Sequence, residues 1–96
     1  MITYGFQYDV KPEYRDEFLE ISNKALSLMK TLDGHVMTKL LEDVNKTNSF
    51  MIYSEWNDNE AFKQFMKSQE FKDVQTASAD MLASQPSHKM FKSAGL

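Results

Sequence analysis

Apolar and polar residues alternate along the first ten positions of the chain. A period of two residues is typical of a β-strand with one face in a protein core. The sequence therefore predicts a strand over residues 2–10. Its apolar face comprises Ile2, Tyr4, Phe6, Tyr8 and Val10, and its other face carries Thr3, Gly5, Gln7 and Asp9.

The next apolar residues recur at spacings of three and four, which indicates an amphipathic helix. Pro12 suits the first turn of that helix, where a backbone N–H has no helical partner. Asp33-Gly34 is a natural stop. We therefore predict a helix from about residue 12 to about residue 32. Its apolar stripe comprises Phe18, Ile21, Ala25, Leu28, Met29 and Leu32.

Two further strands are predicted over residues 35–43 and 49–56. The segment between them, Asn45-Lys46-Thr47-Asn48, favours a turn because Asn tolerates positive φ and bonds its own backbone. The pair is therefore a hairpin.

The remaining chain predicts two helical pieces and a short edge strand. The helical pieces cover residues 58–67 and 69–84, with Asn57 or Asp58 as the cap of the first piece. Residues 88–91 form the edge strand. The order β-α-β-β-α-β is that of the ferredoxin-like antiparallel sheet, an α+β fold. We expect residues 1–96 to form one domain.

Large apolar residues occupy both faces of the second and third strands. Phe50, Ile52 and Trp56 lie on one side, and Met51 and Tyr53 lie on the other. Helices on one face of an antiparallel sheet leave the opposite face without cover. The sequence therefore predicts a symmetric homodimer in which two sheets pack against each other.

Composition argues against several classes of function. The net charge is −3 and the cations are scattered, so we expect no nucleic-acid partner. There is no Cys, and the two His residues have no metal-ligand spacing, so we expect no metal site. No apolar run approaches the ~20 residues of a membrane span, and no signal peptide is evident. We therefore expect a cytoplasmic protein with no membrane partner.

Several residues are candidates for chemistry, and each also has an ordinary structural explanation. Gly5 leaves space beside the Gln7 amide, which suggests a ligand niche or a packing glycine with a hydrated amide. His35 is a possible general base or a strand-end residue. Trp56 is a possible hydrogen-bond donor to a ligand or a core anchor.

Four short segments stand at the ends of predicted strands and helices. They are Asp33-Gly34-His35, Tyr53-Ser54-Glu55-Trp56, Asn59-Glu60-Ala61-Phe62 and Ser68-Gln69-Glu70-Phe71. Together they resemble the antibiotic biosynthesis monooxygenase (ABM) family. The resemblance implies a dimeric α+β barrel with a cavity between the sheet and the helices. Some members oxidise polycyclic phenols or quinols with dioxygen and no cofactor, and one branch binds and degrades haem.

The resemblance implies a monooxygenase without a cofactor that acts on a small aromatic or quinol-like compound. The alternative is a non-catalytic dimeric binding module of the same fold. The candidate catalytic residues are Gln7, His35 and Trp56, and the candidate ligand-binding residues are Gly5, Tyr53, Phe65 and Gln75.

Haem degradation is less favoured because the residues of that branch are absent. Its Trp position falls on Phe65, its His position on Gln75, and its Asn position on Gly5 or Gln7. In this topology neither of the two His residues is expected near Gln75. We therefore expect no haem cofactor.

Overall fold

Four antiparallel strands form one sheet in the order β2-β3-β1-β4 in the computed structural model, which describes residues 1–94. This arrangement confirms the predicted ferredoxin-like α+β fold. The strands are β1 (Ile2–Asp9), β2 (His35–Glu42), β3 (Ser49–Trp56) and β4 (Ser87–Lys92).

Three α-helices accompany the sheet, together with two short 3₁₀ turns. The turn Pro12–Tyr14 leads into the first helix, and the turn Ala79–Met81 follows the third. No helix within residues 1–94 is long and apolar enough to cross a membrane. The helices are α1 (Arg15–Met29), α2 (Asn59–Lys67) and α3 (Gln69–Ser78).

The two faces of the sheet differ in burial. On β1, Tyr4 and Phe6 are buried, whereas Gln7, which points to the opposite face, is exposed. We call these the helix-covered face and the open face. The main core cluster on the helix-covered face contains Tyr4, Phe6, Met29, Trp56, Phe62, Phe65 and Phe71.

Side-chain caps set the starts of α2 and α3. The Asp58 carboxylate accepts a hydrogen bond from the Ala61 N–H at 2.9 Å, so the cap is Asp58 rather than Asn57. The Ser68 hydroxyl accepts one from the Phe71 N–H at 3.2 Å. Capping oxygens of this kind satisfy backbone donors that have no helical partner. They explain why the helical region divides at Ser68, as predicted.

The second helical piece ends earlier than predicted, at Ser78 instead of residue 84. Val10 forms a β-bridge with Leu82, and the Ala83 N–H donates to the Asp9 carbonyl at 2.8 Å. These bonds hold the chain extended after the 3₁₀ turn. The prediction was wrong there because the bonds come from a strand more than 70 positions earlier in the chain.

Candidate functional site

A cavity of about 510 Å³ lies beside β1 and β4, under α3 and the segment that follows it. We call it the α3–β4 cavity. Its volume is within the range of ~300–1,000 Å³ that is typical of small-molecule sites. The walls are largely apolar and include Phe6, Met66, Phe71, Val74 and Leu82.

The segment after α3 is fixed to the end of β1. Besides the Val10–Leu82 bridge, the Ser84 hydroxyl donates to Asp9 Oδ2 at 3.1 Å. The Lys46 ammonium lies 3.4 Å from the same carboxylate oxygen. Leu82 and Ser84 both line the cavity, so these bonds hold one of its walls in place.

Four polar groups on the cavity lining have no side-chain hydrogen-bond partner within residues 1–94. They are the Tyr8 hydroxyl, the Gln75 and Gln85 amides and the His88 imidazole. Tyr8 is half-buried, and burial raises its pKa to about 12. Its hydroxyl is therefore protonated at neutral pH and able to donate. Gln75 and His88 are exposed, so they lie where the cavity opens.

Among residues 1–94, the lining of the α3–β4 cavity carries no Asp, Glu, Lys or Arg, although 26% of the residues in the chain are charged. Tyr8 and His88 are its titratable groups in the described part of the chain. An apolar wall with a few convergent polar groups is typical of a site for an uncharged small molecule.

A second cavity of about 570 Å³ lies between the end of α1 and the start of α2. Asp33, Asp58 and Glu60 surround it, and Phe65 lines it. Three carboxylates oppose the binding of an anion such as a phenolate. The α3–β4 cavity is therefore the better candidate for a phenolic ligand.

Three of the residues predicted to form the site lie on the open face, away from this cavity. Gly5 pairs with Tyr53, and Gln7 pairs with Met51. The space beside Gly5 has room for a methyl group, because a Cβ there would lie at an ordinary contact distance of 3.6 Å from the Met51 sulfur. Gln7 donates a weak hydrogen bond of 3.4 Å to Ser49 and borders a cleft of only about 160 Å³.

Two predicted catalytic residues, Trp56 in the core and half-buried His35 beside it, line neither large cavity. Trp56 is fully buried, and its N–H donates to the Ser54 hydroxyl at 2.9 Å. The His35 ring packs edge-on against Trp56 at 5.2 Å and shares a hydrogen bond with the Thr38 hydroxyl. Burial and then the charge of Lys30 lower the pKa of His35.

Phe65 and Gln75 were also predicted to bind the ligand. Phe65 is buried in the core and borders the acidic cavity. Gln75 lines the α3–β4 cavity. Of the seven predicted residues, Gln75 is therefore the one that lines the α3–β4 cavity.

His88 and Tyr8 were not among the predicted site residues. The expectation that no His lies near Gln75 was wrong, because His88 and Gln75 line the same cavity. His88 pairs with Phe6 on β1, and its ring stacks on Tyr4 at a centroid distance of 5.6 Å. The alternation on β1 places Phe6 on the apolar face of the strand, and a residue paired with Phe6 lies on the same face of the sheet. This pattern is the signal in the sequence that could have identified His88.

A protein-family model described as "Antibiotic biosynthesis monooxygenase" matches residues 1–77. The chain belongs to the ABM family. This result confirms the resemblance carried by the segments around Gly34, Trp56 and Ser68.

Relatives of this ABM chain carry two kinds of name. A protein of Natronomonas pharaonis named a "putative heme-binding protein" is 35% identical over 86 residues, which are 90% of the chain. The match spans only 14% of that protein's length. The Bacillus subtilis protein YcnE, named a "putative monooxygenase", is 32% identical over 63 residues, which are 66% of each chain.

The ABM fold is also found among solved structures. SnoaB of Streptomyces nogalater, described as a cofactor-independent oxygenase, matches with a TM-score of 0.87. The match covers 99% of this chain and 94% of SnoaB, at 21% identity. At that identity the likeness establishes the shared fold.

Proposed function

We propose that this ABM domain binds a flat, uncharged phenol or quinol in the α3–β4 cavity and oxidises it with dioxygen, without a cofactor. The observation that supports the proposal is the cavity lining. It combines aromatic and aliphatic walls with four unpartnered polar groups and, among the described residues, no formally charged side chain. The description of SnoaB as a cofactor-independent oxygenase supports the same chemistry.

In this proposal His88 acts as the general base. Its imidazole accepts the proton of the substrate hydroxyl, which for an anthrone is the hydroxyl of its anthrol tautomer, and the electron-rich anion then reacts with dioxygen at the ring carbon. In the oxidation of an anthrone, the ring CH₂ becomes a carbonyl. One oxygen atom enters the product, and the other leaves as water with the two hydrogens. The substrate supplies all the electrons, so no reductant is needed.

The test is oxygen uptake with 1,8-dihydroxyanthrone as the substrate, together with the absorbance of the quinone product. We expect uptake above the buffer rate. His88→Gln keeps a polar side chain of similar reach but removes the base, so we expect it to lower kcat by ~10²–10⁴-fold. His35→Gln is the matched variant, because His35 lies against Trp56 and lines neither large cavity.

The outcomes separate three assignments. Loss of turnover in His88→Gln alone supports the α3–β4 cavity. Loss of turnover in His35→Gln alone would assign the general base to His35, as the sequence indicated. Tight binding without any oxygen uptake would refute the oxygenase and favour the non-catalytic binding module.

Haem binding is the second candidate, because relatives 35% identical to the chain carry a heme-binding name. His88 supplies an imidazole, which is an axial ligand that haem iron accepts. The lining has no Lys or Arg to pair with the two haem carboxylates, so it fits an uncharged aromatic molecule better. Addition of hemin tests this candidate. A Soret shift that His88→Ala removes would support haem binding and count against the phenol site.

We also propose that the open face forms the contact of a homodimer. Leu41 is 45% exposed and Phe91 is 55% exposed on this face, beside half-buried Met37, Met51 and Tyr53. An apolar patch of this kind marks an interaction surface. Light scattering should give a particle mass of twice the chain mass, and Leu41→Lys should reduce that mass toward the mass of a single chain. A single-chain mass at micromolar concentration would refute the proposal.

A further inference from the structure

Among the polar side chains on the lining of the α3–β4 cavity that have no hydrogen-bond partner within residues 1–94, Tyr8 is the most buried. Its ring packs against Phe6 and Phe18, at centroid distances of 6.1 and 5.6 Å. It contacts the main core cluster and also a second core cluster, which comprises Val10, Phe18, Phe50 and Met81. The aromatic ring is therefore held in place by the core. Gln75 and His88, by contrast, are exposed at the opening.

The Tyr8 hydroxyl has no hydrogen-bond partner within residues 1–94, although most buried tyrosines have one. Its oxygen is not among the fully enclosed unpaired polar atoms of the described residues. The hydroxyl is therefore still reachable, and the side chain that carries it lines the cavity. A fixed donor with access to a ligand and no partner in the protein is the arrangement that an oxyanion requires.

We propose that the Tyr8 hydroxyl donates a hydrogen bond to the ionised oxygen of a phenolic ligand in the α3–β4 cavity. This inference rests on the proposed function, and it assigns the group that stabilises the anion. His88 would accept the proton, and Tyr8 would hold the resulting charge.

The protonation state of Tyr8 is consistent with this role. Burial raises its pKa to about 12, so its proton is not lost to a phenolate of lower pKa. In the part of the chain that the structure describes, the lining offers no Lys or Arg that could stabilise the anion instead. His88 is the other titratable group on the lining, and it is unchanged in the variants compared below.

The experiment measures the binding of 4-nitro-1-naphthol, a flat phenol whose anion absorbs visible light. Titrations are made at one pH where the probe is neutral and at one where it is ionised. A hydrogen bond to a charged group contributes enough for about a tenfold change in affinity. Tyr8→Phe should therefore weaken binding of the anion about tenfold and change that of the neutral form by less than about twofold.

Tyr14→Phe is the matched control. Tyr14 packs against the second core cluster, as Tyr8 does, but does not line the cavity. The Tyr14→Phe variant should bind both forms of the probe as tightly as the wild type does. Unchanged affinity of Tyr8→Phe for the neutral probe also shows that the cavity is intact.

Two results would overturn the inference, and they differ in whether the proposed function also fails. If Tyr8→Phe binds the anion as tightly as the wild type does, the donor is not Tyr8, while the proposed function stands. If the wild type binds neither form of the probe, the proposed function fails together with the inference.

Discussion

Gly34 joins α1 to β2 and is the position at which one added methyl group should be most disruptive. Its φ is +84°, a conformation that residues with a Cβ rarely adopt. A Cβ at this position would lie 2.5 Å from the Cβ of Ala61 in α2. Gly34→Ala therefore combines backbone strain with a steric overlap.

The two costs can be stated separately. An L-residue in the left-handed region costs about 1–2 kcal/mol, and overpacking costs about 1–3 kcal/mol. We expect Gly34→Ala to lower the free energy of unfolding by about 2–5 kcal/mol. The variant Gly34→Ala/Ala61→Gly removes the overlapping methyl group. It should recover the free energy of unfolding that the steric overlap removes. Glycine in a helix costs up to about 1 kcal/mol, which reduces this recovery.

The measurement is urea unfolding followed by the fluorescence of Trp56, which is fully buried and is the only Trp in the chain. Titrations at two chain concentrations are needed, because association would make the apparent stability depend on concentration. Gly5→Ala is the matched control. Its added Cβ would meet only the Met51 sulfur, at an ordinary 3.6 Å.

A loss below about 1 kcal/mol in Gly34→Ala would refute the reasoning, since even the backbone cost would then be missing. The two single substitutions and the double variant form a thermodynamic cycle. A coupling energy near zero would show that the methyl of Ala61 moves aside. Gly5→Ala should be neutral or slightly stabilising, because alanine restricts the unfolded chain.

Three further predictions follow from buried or paired polar groups. Ser54→Ala removes the acceptor of the buried Trp56 N–H and should lower the free energy of unfolding by about 1–3 kcal/mol; an unchanged urea midpoint would contradict this. The hydrogen bonds from Arg15 lower the pKa of Glu42 to about 2 from its ordinary 4.5, so its stabilising effect should be complete above pH 4.5 and fall away toward pH 2. Urea midpoints across that range should converge for wild type and Glu42→Gln as the pH falls, and a constant difference would argue against the pairing. The His35 imidazole should titrate below its ordinary 6.5 because of burial and then Lys30, and an NMR titration at or above 6.5 would show that the ring is more solvated than in the structure.

The element order and the faces of the strands could be read from the sequence because they are local properties. The alternation on β1 already separated Tyr8 from Gln7, and the period of the first helix identified Phe18 and Met29 as buried residues. These patterns depend on neighbouring positions in the chain, and the structure confirms them.

The candidate site could not be predicted in the same way. Gly5 and Gln7 were chosen for their chemistry, but the cavity lies on the other face of their strand. His88 joins Gln75 only through the pairing of β4 with β1. The early end of α3 likewise depends on the Val10–Leu82 bridge. Cytoplasmic location, a single domain and the lack of a nucleic-acid partner stay predictions.

The wall that follows α3 has a consequence for how such domains diversify. The family model ends at residue 77, whereas Ser78, Leu82, Ser84, Pro86 and His88 all line the cavity. The bonds at Asp9 and Val10 anchor this wall largely through backbone atoms, so its side chains can vary while the common scaffold stays the same. Exchanging this one segment between homologues should therefore transfer ligand preference from one domain to another.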